Sequence, residues 1–190
     1  MKRFVERLKE MRIIGGKYRG YRLAPVSKGI RPSSDRLRET LFNVLGQSVV
    51  ESTWLEAFAG SGAIGIEALS RGAVWADFVE NNPKRCALLR QSLASMGFSN
   101  RSKVHCMKVE RALTSLGKYY DLILMDPPYT IKPVHHVLEK LGDVAKDGAL
   151  VAAGHSKHHP LQNSYGKLKL IREWKYGDTV CSIYREGGDN

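Results

Sequence analysis

From Thr53 onward, short apolar runs alternate with segments whose apolar residues recur every three to four positions. The first pattern predicts strands at 53–58, 74–80, 103–108, 120–126 and 148–153. The second predicts helices at 63–71, 83–96, 110–116 and 133–142. Two further strand patterns, 166–174 and 179–185, flank the turn-forming Tyr176-Gly177-Asp178-Thr179. Strand and helix in alternation imply a mainly parallel sheet covered on both faces, with the final hairpin as an antiparallel edge. Upstream, residues 12–23 alternate apolar and basic positions around glycines, as in a small hairpin. Leu37, Leu41, Val44 and Leu45 then recur at helical spacing from about Ser34 to Gln47, with Ser33 or Ser34 available as N-cap. The expected organisation is an extension at 1–10, a hairpin-and-helix arm at 11–50 and a main domain at 51–190.

Composition adds limits. A chain of 190 residues, 43% hydrophobic and 26% charged, suits one domain with a substantial core. No apolar run approaches the length of a membrane span. Cys86, Cys106 and Cys181 are odd in number and widely spaced, which argues against a disulfide framework or a zinc site and for a reducing, cytoplasmic setting. Cys86 and Cys106 are expected to pack as small apolar residues. His155, His158 and His159 read as solvated loop residues, and His135-His136 as helix surface. Charge is uneven: residues 1–38 hold twelve Lys/Arg against three Asp/Glu, +9 of the chain's +11. Such a block favours a polyanion-facing surface, with Arg19, Arg22, Arg31, Arg36 and Arg38 as nucleic-acid contacts.

After the first main-domain strand, Gly60, Gly62 and Gly65 form a G-x-G-x-x-G set at the start of a helix. Ile66-Glu67 stand where a phosphate-binding P-loop needs Lys-Ser/Thr, so that loop is excluded. Glu80 ends the second strand eighteen residues after Gly62, a separation suited to ribose hydroxyls. Glu56 precedes the glycine loop, where a dinucleotide's pyrophosphate would be repelled. It suits a ligand with a positive group, such as the ammonium or sulfonium of S-adenosylmethionine. The run Leu122–Met125 then stops at Asp126-Pro127-Pro128-Tyr129. Prolines end the ladder, leaving the Asp126 carboxylate at the strand's carboxyl edge, where open α/β sheets bind ligands.

The segments A-F-A-G-S-G, F-V-E and D-P-P-Y resemble, in order and spacing, Rossmann-like class I S-adenosylmethionine-dependent amino-methyltransferases. M-R-I-I-G-G-K-Y-R-G, R-P-S-S-D-R-L-R-E-T-L-F-N and K-Y-G-D-T narrow the resemblance to bacterial 16S rRNA guanine-N2 methyltransferases of the RsmD type, from Met11 to about Arg185. The resemblance implies methyl transfer to a guanine of small-subunit rRNA, with the subunit or an assembly intermediate as partner. It implies that Glu56, Ala59, Gly60, Ser61 and Gly62 hold the methionine part of the cofactor. Glu80, beside Asn81, would bind its ribose, and Glu110 with Arg111 would lie near its adenine. Asp126, Pro127 and Tyr129 would address the guanine, with Pro128 in the same turn. The chain departs from the family pattern at Glu110, usually aspartate, and at Gly154, often glutamate.

D-P-P-Y suits this chemistry. An aromatic amine is a poor nucleophile because its lone pair is shared with the ring. A carboxylate and a rigid carbonyl that each accept one N–H localise that pair, and a tyrosine ring offers a stacking face. DNA adenine-N6 methylation and a non-catalytic RNA-binding assembly factor are the rival readings. No metal is required, and a monomer is expected.

Overall fold

A computed structural model describes residues 11–23, 35–117, 120–128 and 134–187. Residues 1–10, Arg31, Ser33, Ser34, Tyr129 and the side chain of Arg36 lie outside the described residues. Eight strands form one sheet in the order β3-β2-β1-β4-β5-β8-β7-β6. β1 (Thr53–Ala57), β2 (Trp75–Glu80), β3 (Ser102–Cys106), β4 (Tyr120–Met125) and β5 (Ala145–Ser156) are parallel. β8 (Thr179–Glu186), β7 (Leu168–Tyr176) and β6 (Ser164–Tyr165) add an antiparallel flank three strands wide. Both predicted C-terminal strands are present. β6 has only two residues, too few to leave an alternating pattern. β5 starts earlier than the apolar run suggests, because Lys146-Asp147-Gly148 forms an irregularity inside it, with Gly148 at φ 76°.

The central strands are apolar on both faces because helices cover both. On one face lie α1 (Asp35–Leu45), α2 (Ala63–Ser70), α3 (Pro83–Ser95) and the arm. Ile13, Leu41, Phe42, Ile66, Phe78, Leu89 and Phe98 share one core there. On the other, α4 (Val109–Leu113) and α5 (His135–Val144) pack Ala112, Leu138 and Leu141 against Leu55, Ile123 and Val151. α3 begins at Pro83, and the Asn82 side chain caps it by accepting from the Lys84 and Arg85 amides at 3.0 and 3.2 Å.

Every residue of α2 is buried, since the arm covers the face turned away from the sheet. The hairpin is short: Arg12 bridges Arg22, the Gly20 amide donates to the Ile13 carbonyl, and the Leu23 amide donates to the Met11 carbonyl. Its tip is tied to the end of α2. Ser70 accepts from the Lys17 and Tyr18 amides, and its hydroxyl donates to the Gly15 carbonyl. Beneath this contact the fully buried Glu67 accepts from Arg71 at 2.7 and 2.9 Å and from Arg38 at 3.4 Å. Arg38 also donates to the Arg12 carbonyl at 2.9 Å. One carboxylate thus ties α1, α2 and the hairpin together. Burial raises the Glu67 carboxyl above its ordinary value, with both arginines working against that rise.

Two histidines and a cysteine differ from expectation. His155 lies in β5, buried, with Nε2 2.9 Å from Ser182 Oγ and Nδ1 facing the Ser156 and His159 carbonyls. His135 is half-buried, 2.6 Å from the Tyr165 hydroxyl. Sequence spacing cannot show that β8 and β6 supply these partners. Cys86 is buried as expected, but Cys106, at the end of edge strand β3, is exposed. No helix among the described residues is long and apolar enough to cross a membrane.

Glu67→Ala is expected to cost about 3–5 kcal/mol in urea unfolding, because it removes the buried carboxylate on which Arg38, Arg71 and the Ile14 amide converge. Arg71→Ala, at a more exposed side chain, should cost less than half as much.

Candidate active site at the carboxyl edge of the sheet

The strand order reverses between β1 and β4, and the loops that leave this switch point carry the candidate residues. The chain turns out of β1 through left-handed backbone at Phe58 (φ 62°), Gly60 (φ 56°) and Gly62 (φ 70°). For Phe58 that conformation is strained, by about 1 kcal/mol or more. Gly62 and Gly65 are glycine for packing as well. A Cβ on Gly62 would stand 2.3 Å from Leu89, and one on Gly65 would stand 2.5 Å from Phe78. α2 can therefore lie directly on the sheet, with Ala59, Gly60, Ser61 and Gly62 curved over the edge.

Glu56 is 4% exposed and accepts the Gly65 amide at 2.8 Å. Burial pushes its carboxyl up to about 8; the Asp126 charge adds to this, while the Gly65 and Ile64 amides and Arg38 oppose it. A cation placed here would meet a carboxyl whose ionisation it would itself promote. Glu80 holds the loop from the next strand: its carboxylate accepts the Gly60 amide at 2.9 Å and the Asn82 amide at 2.8 Å. Arg85 stands 3.8 Å away. Capping of α3 is left to Asn82, so Glu80 braces the glycine loop. Asn81 is exposed at the same edge. Glu110 and Arg111 sit at the start of α4, with Glu110 3.5 Å from His136 of α5.

β4 ends at Met125, and Asp126 follows half-buried, with Pro127 buried and Pro128 exposed. Met125 is in register with Ala153 of β5, which places Asp126 beside Gly154. A Cβ on Gly154 would stand 2.5 Å from Asp126 Oδ1, so the missing side chain makes room for the carboxylate. Cys181 is paired with Gly154 across β8 and lies near the same acid. Burial, with the Asp126 charge added, pushes its thiol up to about 12, so it is a neutral wall. Asp121 lies at the opposite edge, where it accepts from Thr53 and Lys146.

In the arm, Arg19 and Arg22 are exposed. Arg38 is not a surface contact: at 0% exposure it is spent on Glu67 and the Arg12 carbonyl. Helical spacing places Arg38 next to the buried Leu41 and Phe42 but cannot reveal a carboxylate 29 residues away. The arm also reaches the glycine loop, with Met11 Sδ 3.9 Å from the Ser61 hydroxyl. Neither this contact nor the space at Gly154 has a local sequence mark. Among the described residues no cluster of three or more His, Cys, Asp or Glu has metal-site geometry.

The family model described as Conserved hypothetical protein 95 matches residues 11–185. Ribosomal RNA small subunit methyltransferase D of Escherichia coli (strain K12) is 34% identical over 180 residues, covering 93% of this chain and 90% of that protein. The Haemophilus influenzae protein of the same name is 33% identical over 162 residues, covering 80% and 82%. The solved structure of Escherichia coli yhhF superposes with a TM-score of 0.84 at 30% identity, covering 94% of this chain and 98% of that one. An RNA methyltransferase from Salinibacter ruber, solved with S-adenosyl-L-homocysteine, shares the fold at a TM-score of 0.65 and 12% identity, covering 84% and 96%. With its glycine loop, its strand-end acids and Asp126 gathered at one switch point, the chain belongs to the family of ribosomal RNA small subunit methyltransferase D.

Proposed function

We propose that this protein transfers a methyl group from S-adenosylmethionine to the exocyclic N2 of a guanine in 16S rRNA, within the small ribosomal subunit or an assembly intermediate. The observation that carries the reading is the position of Asp126. It leaves β4 half-buried, one strand from the glycine loop and Glu56, in a space that Gly154 keeps open.

The residues at the edge fit this cofactor. The left-handed turns at Gly60 and Gly62 allow close approach to loop backbone, and the buried Glu56 carboxyl would offset the positive charge of the ligand. Ala59, Gly60, Ser61 and Gly62 would hold the methionine part. Glu80, fixed against Gly60, would bind the ribose with Asn81 beside it, and Glu110 with Arg111, at α4, would border the adenine. When bound, S-adenosylmethionine supplies an electrophilic methyl carbon on a sulfonium.

Asp126 accepts one hydrogen of the guanine amine and the Pro127 carbonyl accepts the other, which localises the nitrogen lone pair in line with the methyl carbon. The prolines keep both acceptors in place, and Asp126 can take the proton released as the new N–C bond forms. Tyr129, by its place in the motif, would stack on the base. The basic arm, with Arg19 and Arg22 exposed, supplies phosphate contacts.

Purified protein with methyl-labelled S-adenosylmethionine, offered unmodified small subunits, naked 16S rRNA and DNA, tests the reading. N2-methylguanine in rRNA supports it, whereas N6-methyladenine in DNA would replace the substrate, and no transfer at all would sink it. Asp126→Ala should lower kcat by about 10²–10³-fold while cofactor affinity stays within a few-fold.

Gly154→Ala should keep the fold, since only the free end of Asp126 needs to swing away. Displacing that carboxylate is expected to lower kcat on the order of 10–100-fold. Urea unfolding beside single-turnover kinetics separates the two effects.

Glu56 gives a pH test. Its folded-state value, about 8, lies above the ordinary 4.5. Between these values the folded state holds a proton that the unfolded chain has lost, so stability falls as pH rises, by about 1.4 kcal/mol per unit. Glu56→Gln should therefore raise Tm without cofactor more at pH 8 than at pH 5. The same substitution should weaken S-adenosylmethionine binding and abolish its rise with pH, as read by calorimetry.

A further inference from the structure

Between the hairpin tip and α1 lies a cavity of about 670 Å³, lined by Arg12, Gly15, Arg19, Glu39, Asn43 and Arg71 among others. Its size falls in the range of small-ligand sites. It lies away from the reaction edge. α2 starts at the glycine loop and ends at Ser70, where the hairpin tip is anchored, and eight helical residues span roughly 12 Å. The walls are braced. The tip is tied to Ser70 by two amides and a hydroxyl, and the Tyr18 ring packs edge-on against Phe98 at 4.9 Å.

The chemistry of the lining is mixed in a specific way. Among the described lining residues, three arginines stand against one carboxylate, Glu39. Arg71 is held in place, its guanidinium 4.5 Å from the centre of the Phe42 ring and its Nε and Nη2 on Glu67. A Cβ on Gly15 would stand 2.3 Å from Arg71 Nη2, so the guanidinium lies against bare hairpin backbone. Its carboxylate is shared: Glu67 serves Arg38 as well. Opposite these cations, Glu39 and Asn43 are both exposed and four residues apart on α1, hence on one face of the helix. They offer a carboxylate acceptor and an amide that both donates and accepts.

Taking rRNA as the substrate, we infer that this cavity binds a second nucleotide of that RNA, distinct from the methylated guanine. The arginine side takes the phosphate, and Glu39 with Asn43 takes the base edge. Guanine suits the Glu39 carboxylate best, because its N1–H and N2–H are adjacent donors that one carboxylate accepts together. The arm therefore reads sequence or shape near the target in addition to neutralising phosphate.

Two measurements on the full chain test this. In steady-state transfer to unmodified small subunits, the double variant Glu39→Ala, Asn43→Ala should raise KM about tenfold, with kcat and cofactor affinity within twofold and the salt dependence unchanged. Arg19→Ala should reduce the slope of log KM against log salt by about one. In equilibrium dialysis with the protein saturated in S-adenosyl-L-homocysteine, guanosine 5′-monophosphate should bind more tightly than uridine 5′-monophosphate or inorganic phosphate. The double variant should lose that preference. Unchanged KM in the double variant, or equal binding of both nucleotides and phosphate, would overturn the inference. Failure of the unaltered chain to methylate any rRNA would instead overturn the proposed function, while a guanosine preference lost in the double variant would still support the cavity.

Discussion

Ala57 of β1, Met125 of β4 and Ala153 of β5 stand abreast in the parallel register, so Phe58 and Asp126 leave their strands at the height of Gly154, which stays paired with Cys181 of β8. Much of the site depends on this alignment. It places the strained turn at Phe58 beside the acid at 126, and it places the acid against the one strand position whose missing side chain admits it. A slip of one residue would turn each strand's faces over and bury the acid in an apolar layer. The apolar residues of β4 and β5 on both faces therefore hold a polar constellation at their ends.

Polar groups at this edge are braced by backbone more than by ion pairs. Glu80 and Glu56 each accept amides of the loop or helix they face, Gly60 and Gly65 respectively. Such contacts leave carboxylate lone pairs available while fixing where the oxygens lie. The burial of Glu56 carries a conformational and electrostatic cost that packing does not need. Cys181, kept neutral beside Asp126, lines the site without adding a competing charge.

Coupling between the arm and the main domain rests on Glu67, which the glycine motif places on α2 but whose role that motif does not announce. Its carboxylate draws Arg38 and Arg71 inward, and the hairpin tip then closes over Ser70. The apolar residues of the arm join the same core as α2 and α3. The basic arm is joined in this way to the carboxyl edge of the sheet, reaching Ser61 through Met11 at one end and the arginine-lined cavity at the other.

The amino-acid sequence by itself determined the alternation of strands and helices, the glycine turn, the stop at Asp126-Pro127 and the order of the strand-end acids. These follow from local rules of periodicity, φ preference and missing amide donors. It also marked the arm as basic. Tertiary structure alone decided which of the arm's arginines face outward. Arg19 and Arg38 are alike in the sequence, but a carboxylate on another helix takes Arg38 out of solvent. It decided that Gly154 is open space for Asp126, because strand pairing sets that neighbour. It turned His155 inward as well, toward Ser182 on a strand that only the antiparallel flank brings near. Local chemistry is written along the chain, whereas burial and partnership arise from contacts between residues far apart in it.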